Sequence, residues 1–322
     1  MMLGKNHCFK ILFIFFTLVF VAFVSIFLFP KIIDLSTEKV KTLHIIFKIR
    51  LPQTLIAVTV GAALGLSGAI MQIILGNSLA SPFTLGISSA SAFGAALAII
   101  AGINWLIPEV SAFIFSMGSL LLLLSITSFV GMSQRYLILV GIVINFFFSS
   151  ANTLIQYYAT PDAVYQIMFW TAGSLTNARI NDSLILLIIL SVATAISALF
   201  SRDLGLIQQG DKNAVMLGVN VNLERVILLA LCSLLTSFSV SVVGIIGFIG
   251  LVAPHIARML KIHSPKALLI SSMLLGAFLL VVSDIISKTV IYPIILPIGA
   301  VTSFLGIPLL LFLLFLSRKD NK

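Results

Sequence analysis

Residues 50–72, RLPQTLIAVTVGAALGLSGAIMQ, open on an arginine and then run to their end without another charge. A segment apolar on every face and broken only by small residues does not describe one side of a soluble helix. About 20 such residues cross the hydrocarbon core of a bilayer. Working outward, the same pattern recurs along the chain. Of 322 residues, 60% are hydrophobic and 9% charged, with a mean hydropathy of +1.21, whereas soluble domains carry about 25% charged residues. Too little polar surface exists to coat a globule, so the solvent for most of the chain is lipid. At about 20 residues per span and about 10 per connection, this length holds on the order of ten helices and leaves nothing for a water-soluble catalytic domain. The fold class is all-α: a polytopic membrane protein with about ten transmembrane helices, read as one transmembrane domain over residues 1–322. An ordinary soluble enzyme is excluded.

Apolar runs bounded by charges, Pro or Gly predict helices near 11–29, 52–75, 82–103, 110–131, 136–158, 184–200, 226–243, 246–260, 267–290 and 295–316. The eighth is short, and 165–175 has the pattern of an amphipathic helix at a surface. The first run is too long for a signal peptide and no small-residue cleavage site follows it, so it is read as a retained helix. The net charge of +9 comes from single Lys and Arg residues between apolar runs, which is a topology signal and not a nucleic-acid footprint. A cytoplasmic N-terminus puts Lys5, Lys10, Arg135, Arg202, Lys212, Arg225, Arg258, Lys261, Lys266, Arg318, Lys319 and Lys322 inside. Lys31, Lys39, Lys41, Lys48, Arg50, Arg179 and Lys288 then fall outside, five of them crowded into the polar connection 30–50. Both termini are expected in the cytoplasm. Cys8 and Cys232 are the only cysteines, so neither a disulfide framework nor a Cys-based metal site follows.

An ATP-driven pump needs its own phosphate loop. The only Gly-Lys pair, Gly4-Lys5, lacks the upstream glycine and the following Ser or Thr. A proton-coupled carrier places ionisable groups at mid-membrane, where each costs roughly 2.5–3.5 kcal/mol. Here His255, Arg258, Asp284 and Lys288 sit towards the ends of their predicted spans, so energy is expected from another subunit. Asp284 and Lys288 stand in the favourable i, i+4 order; they either neutralise each other or leave Lys288 as an outer docking charge beside Arg50. Gly61 and Gly65 have the spacing of closely packed helices. Gln72 and Asn77 suit either a path lining or interhelical hydrogen bonds. Gly244, Gly247 and Gly250, followed by Pro254-His255, predict a bent or re-entrant connection entering a short helix. His255 reads more readily as a hydrogen-bonding residue than as a metal ligand. The loop of about 201–225, with Gly210-Asp211, Ala214 and Leu217-Gly218, is long enough for two short helices and reads as a docking ridge for a cytoplasmic protein.

Together these segments resemble the FecCD-type permeases of ATP-binding-cassette importers for iron chelates, haem and vitamin B12. The landmarks are RLPQTLIAVTVGAALGLSGAIMQ, GNSLASPFTLGISSA, QGDKNAVMLGV, GIIGFIGLVAPHIAR, SDIISK and LPIGAVTSFLGIPLLLFLL. The resemblance implies a type II importer permease fold of ten helices. It also implies a second permease, identical or related, two cytoplasmic ATPases and an extracytoplasmic binding protein, in the bacterial cytoplasmic (inner) membrane. No cofactor or metal is expected on this chain, and no nucleic-acid partner. Carried over by motif, Asp211, Ala214, Leu217 and Gly218 belong to the ATPase-coupling helix, and Arg50 and Lys288 to the docking site for the binding protein. Asn145, Ser149 and Ser150 belong to the path-lining helix. Departures from the family pattern are Gln53 for a docking Arg, Lys288 for Arg, Gly76 and Ser78 for Arg and Pro, Ala90 for Gly, Asp211 for Glu, Ile245 for Pro and Ile295 for Glu. An iron-siderophore complex is the expected substrate, with vitamin B12, haem or molybdate as alternatives and an ion-coupled carrier as the rival of another class.

Overall fold

A computed structural model of the chain describes residues 5–27, 44–102 and 107–320. Much of the charged connection expected at 30–50, with Lys31, Lys39 and Lys41, lies outside the described residues, as does Lys322. The described chain is helical: α1 (Lys5–Phe27), a π-turn at Ile46–Arg50 running directly into α2 (Leu51–Ile74), α3 (Ile87–Ala101), α4 (Pro108–Val130), α5 (Gln134–Tyr158), α6 (Pro161–Ala172) and α7 (Ile180–Leu199). There follow α8 (Ser201–Gln208), α9 (Asp211–Met216), α10 (Val221–Val243), α11 (Ile249–Met259), α12 (Pro265–Thr289) and α13 (Ile298–Asp320).

Local chemistry sets these boundaries. Prolines open α4, α6 and α12, where a missing N–H costs nothing. Side-chain oxygens of Ser133, Thr160 and Asn220 cap α5, α6 and α10. Inside the apolar spans, hydroxyls of Thr59, Thr127, Ser197, Thr236 and Ser283 donate to the carbonyl four residues back, which satisfies them where water is absent.

Seven helices among the described residues are long and apolar enough to cross a membrane: α1, α2 with its π-turn, α4, α5, α7, α10 and α12. Two of the other expected spans are shorter apolar helices, α3 and the Ile298–Phe312 part of α13. The eighth, expected over 246–260, is corrected to the 11-residue α11. At 1.5 Å per residue it reaches about 16 Å, half the hydrocarbon core. The glycines before it are the cause, since Gly244–Gly247 leaves helical geometry and Phe248 is forced to a φ of +66°. The amphipathic helix expected over 165–175 is α6, one turn earlier.

Burial separates core from rim. α2 is 89% buried in its apolar window, α10 61% and α12 56%, against 17% for α1, 22% for α5 and 28% for α4 and α7. α2 is the spine because its glycines let other backbones touch it. A Cβ on Gly61 would land on the Gly276 carbonyl and 2.8 Å from Ala277 Cα, and one on Gly65 would land on the Ser272 carbonyl. One on Gly68 would meet the Gly250 carbonyl and lie 2.7 Å from Gly250 Cα. Higher numbers on α2 face lower numbers on α12, so the two helices are antiparallel. Packing is thus the role of the Gly61 and Gly65 pair.

Candidate functional site

The loop 201–225 folds, as its pattern predicts, into two short helices. Ile207, Ala214, Val219 and Val221 make a small core beneath them. Gly218, at φ +85°, ends α9 as only glycine does comfortably, and lets Val219 N reach Ala214 O at 3.0 Å. With Ala214 turned inward, α9 presents Val215, Met216 and Leu217 outward, 59%, 82% and 63% exposed. Exposed apolar ridges of this kind are the surfaces that proteins commonly use for contact with one another.

This ridge is pinned from below by a residue that sequence reasoning assigned only to topology. Arg225, 2% exposed, grips both carboxylate oxygens of Asp211 at 2.8 and 2.7 Å. Its other nitrogens donate to Ile74 O at 3.1 Å and Met132 O at 3.0 Å. The end of α2, the α4–α5 connection and the first residue of α9 therefore meet on one guanidinium, and Gln134 adds a contact to Asp211 at 3.4 Å. Only the planar fork of arginine serves a carboxylate and two carbonyls together. The signal was present in the sequence: a cation inside the first turns of an apolar span needs a partner.

Beyond the π-turn and along α2, the expected site residues separate. Gln72 is 3% exposed; its amide oxygen accepts from Arg258 Nη1, and its nitrogen donates to Leu251 O at 3.3 Å. Of the two readings of Gln72, the structure displays the interhelical bond, which ties α2 to α11 within the subunit. Asn77 accepts from Leu79 N at 2.9 Å, shapes the turn after α2 and stays partly exposed. His255 Nδ1 is buried without a hydrogen-bond partner among the described residues. No group of three His, Cys, Asp or Glu able to hold a metal occurs among the described residues.

Of Gly244, Gly247 and Gly250, Gly247 lines a cleft of about 450 Å³ between the 81–84 turn, α6, the 245–248 connection and α13, while Gly244 packs against Gly173 at the end of α6. Gly250 seats α11 on Gly68, and Pro254 lies buried within α11. Asn145 on α5 donates to Phe83 O, on the lip of that cleft, at 3.5 Å, and Ser149 Oγ reaches Asn145 Oδ1 at 3.3 Å. Ser149 and Ser150 are exposed. At the end opposite α8 and α9, Arg50 donates to Ile26 O at 3.2 Å. Lys288 binds Asp284 Oδ2 at 2.6 Å, the two side chains being 14% and 3% exposed. Of the two readings of that pair, the structure displays mutual neutralisation.

A glycine-seamed spine, a half-length helix behind a glycine bend and a two-helix ridge follow one another in the order of a known family, and the FecCD transport family matches residues 10–316. The chain belongs to that family. An iron chelatin transport system permease of Helicobacter pylori is 38% identical to this FecCD chain, over 88% of it and 86% of the relative. A hemin transport system permease of Yersinia pestis is 36% identical, over 86% and 85%. A solved structure described as an inward-facing metal-chelate type ABC transporter superposes with a TM-score of 0.85 at 31% identity, covering 95% of this chain and 98% of its own. The FecCD chain is thus a multi-pass membrane permease subunit of an ABC importer of the metal-chelate type, and is not itself an enzyme.

Proposed function

We propose that this permease carries an iron-siderophore complex into the cytoplasm, driven by two ATPases that seat on the α9 ridge. The observation that carries the coupling part is the bidentate Arg225–Asp211 anchor beneath the exposed Val215, Met216 and Leu217. A ridge that merely faced solvent would have no use for an anchor joining it to the spine. Nucleotide binding in the partners would tilt the anchored ridge and shift the permease between two states open to opposite sides. The path runs between this chain and a second permease, along the face of α5 with Asn145, Ser149 and Ser150 and past the cleft beside Phe83. Both termini lie in the cytoplasm on this reading, and a binding protein delivers substrate at the opposite end, near Arg50 and Lys288. The iron chelatin relative favours a siderophore, and the hemin relative supports haem as the second reading.

The test is uptake of labelled iron, given as several siderophores and as haem, with labelled cobalamin in parallel, in cells with and without the gene and after ATP depletion. ATP-dependent loss of one siderophore alone is expected. Loss of haem or cobalamin instead keeps the architecture and replaces the substrate, whereas uptake indifferent to ATP removes the coupling assignment.

Docking has its own test. Arg50→Glu should weaken binding-protein association about tenfold at low salt, with the difference shrinking as salt screens it. Because Lys288 holds Asp284, its charge is best moved by the exchange Asp284→Lys with Lys288→Asp, which retains an ion pair. Affinities equal to wild type at every salt concentration would remove docking from this end.

A further inference from the structure

Between α1 and α12 runs an apolar groove of about 430 Å³ that no part of the transport reading uses. Phe13, Phe20, Leu275 and Phe278 wall it, and Lys10 stands among its lining residues. Lys10 Nζ donates to Leu260 O at 2.8 Å, just past the end of α11. Lys261, His263 and Lys266 follow in the next few residues and are all exposed. This rim lies at the same end as α8, because Pro265 sits beside Gly205. α1 is only 17% buried and turns its phenylalanines outward, so the groove opens sideways into hydrocarbon.

Charge decides what would sit there. Residues 5–17 and 256–268 contain no acid. Of the described acids of α8, α9 and α10, Asp211 is held by Arg225, Asp203 and Glu224 neighbour each other, and none pairs with Lys10, Lys261 or Lys266 among the described residues. The basic rim is therefore left without a carboxylate of its own. A helix about 10 Å across would fill the groove's volume with about one turn, so a thin flexible chain suits it better than a partner helix. We infer that this groove binds an anionic phospholipid, with an acyl chain along the phenylalanine wall and the phosphate at Lys10, Lys261 and Lys266. Basic rims between membrane helices recognise anionic headgroups in this way, each Lys contributing about fivefold in affinity. The inference is independent of the transported substrate.

The full chain, purified in mild detergent, is titrated with equal amounts of phosphatidylglycerol and phosphatidylcholine, and bound lipid is counted by native mass spectrometry. Wild type should retain phosphatidylglycerol at least tenfold better. K261Q/K266Q, which alters only exposed side chains, should lower that ratio severalfold, to about the fivefold left by Lys10. Thr17→Phe, which fills the groove, should lower retention of both lipids. Equal retention by wild type, or an unchanged ratio in K261Q/K266Q, would overturn the proposal. So would Thr17→Phe binding as much lipid as wild type.

Discussion

Asp211→Ala is expected to reduce ATP-driven uptake at least tenfold while the chain still reaches the membrane. Arg225 stays buried when its carboxylate is removed, and breaking a buried pair from one side costs about 3–5 kcal/mol. The partial exposure of Asp211 places the effect near the lower end. About 3 kcal/mol corresponds to roughly a hundredfold change in the population of the docked ridge. Isolated helices as short as α9 do not persist on their own, and the four-residue core beneath it is too small to replace the anchor. The bonds from Arg225 to Ile74 O and Met132 O survive, so the spans should remain assembled while the ridge comes loose. Asp211→Glu, which keeps a carboxylate within reach of Arg225, should keep uptake within about threefold. A second pair of variants separates anchor from contact: Met216→Asp and Leu217→Asp leave Arg225 satisfied but place charge on the exposed ridge, and should abolish ATPase association without lowering the melting temperature. Asp211→Ala with wild-type uptake would show that the ridge needs no anchor.

Gly68→Ala should lower the yield of folded, monodisperse protein about tenfold. Overpacking by one methyl costs about 1–3 kcal/mol where side chains can move aside. Here the obstacle is the Gly250 backbone, so α2 and α11 must separate along their contact. Gly61→Ala meets the Gly276 backbone in the same way. Gly118→Ala on α4 is the control: a Cβ there touches nothing within 4 Å, and alanine is the better helix former by about 1 kcal/mol. Normal yields from Gly68→Ala would mean that the two backbones do not touch in the membrane.

Much of this was legible from the sequence because it depends on neighbours along the chain. Runs of apolar residues marked the spans, the Gly61 and Gly65 pair marked a packing seam, and Gly210 with Gly218 bounded a short helix in the 201–225 loop. Three glycines before Pro254 announced a break before a short helix. Partnerships over long separations were not legible. Nothing near Gln72 points to Arg258, and nothing near Arg225 names Ile74 or Met132 as acceptors. The ambiguity at Lys288 had the same origin, since an i, i+4 acid can be a partner or a bystander until the burial of both groups is known. The start of α11 at Ile249 escaped because hydropathy counts apolar residues regardless of where regular hydrogen bonding starts.

The contacts of α2 also have a mechanical side. Helices that meet through side chains slide by changing rotamers, and such an interface is compliant. Those that meet backbone on backbone, as α2 does with α11 and α12, have nothing soft between them and move as one stiff beam. Arg225 rivets the ridge to the end of that beam. On the proposed reading, a displacement applied at Met216 and Leu217 would therefore not be dissipated where it enters but would reach the far end near Arg50 and Lys288 as a tilt.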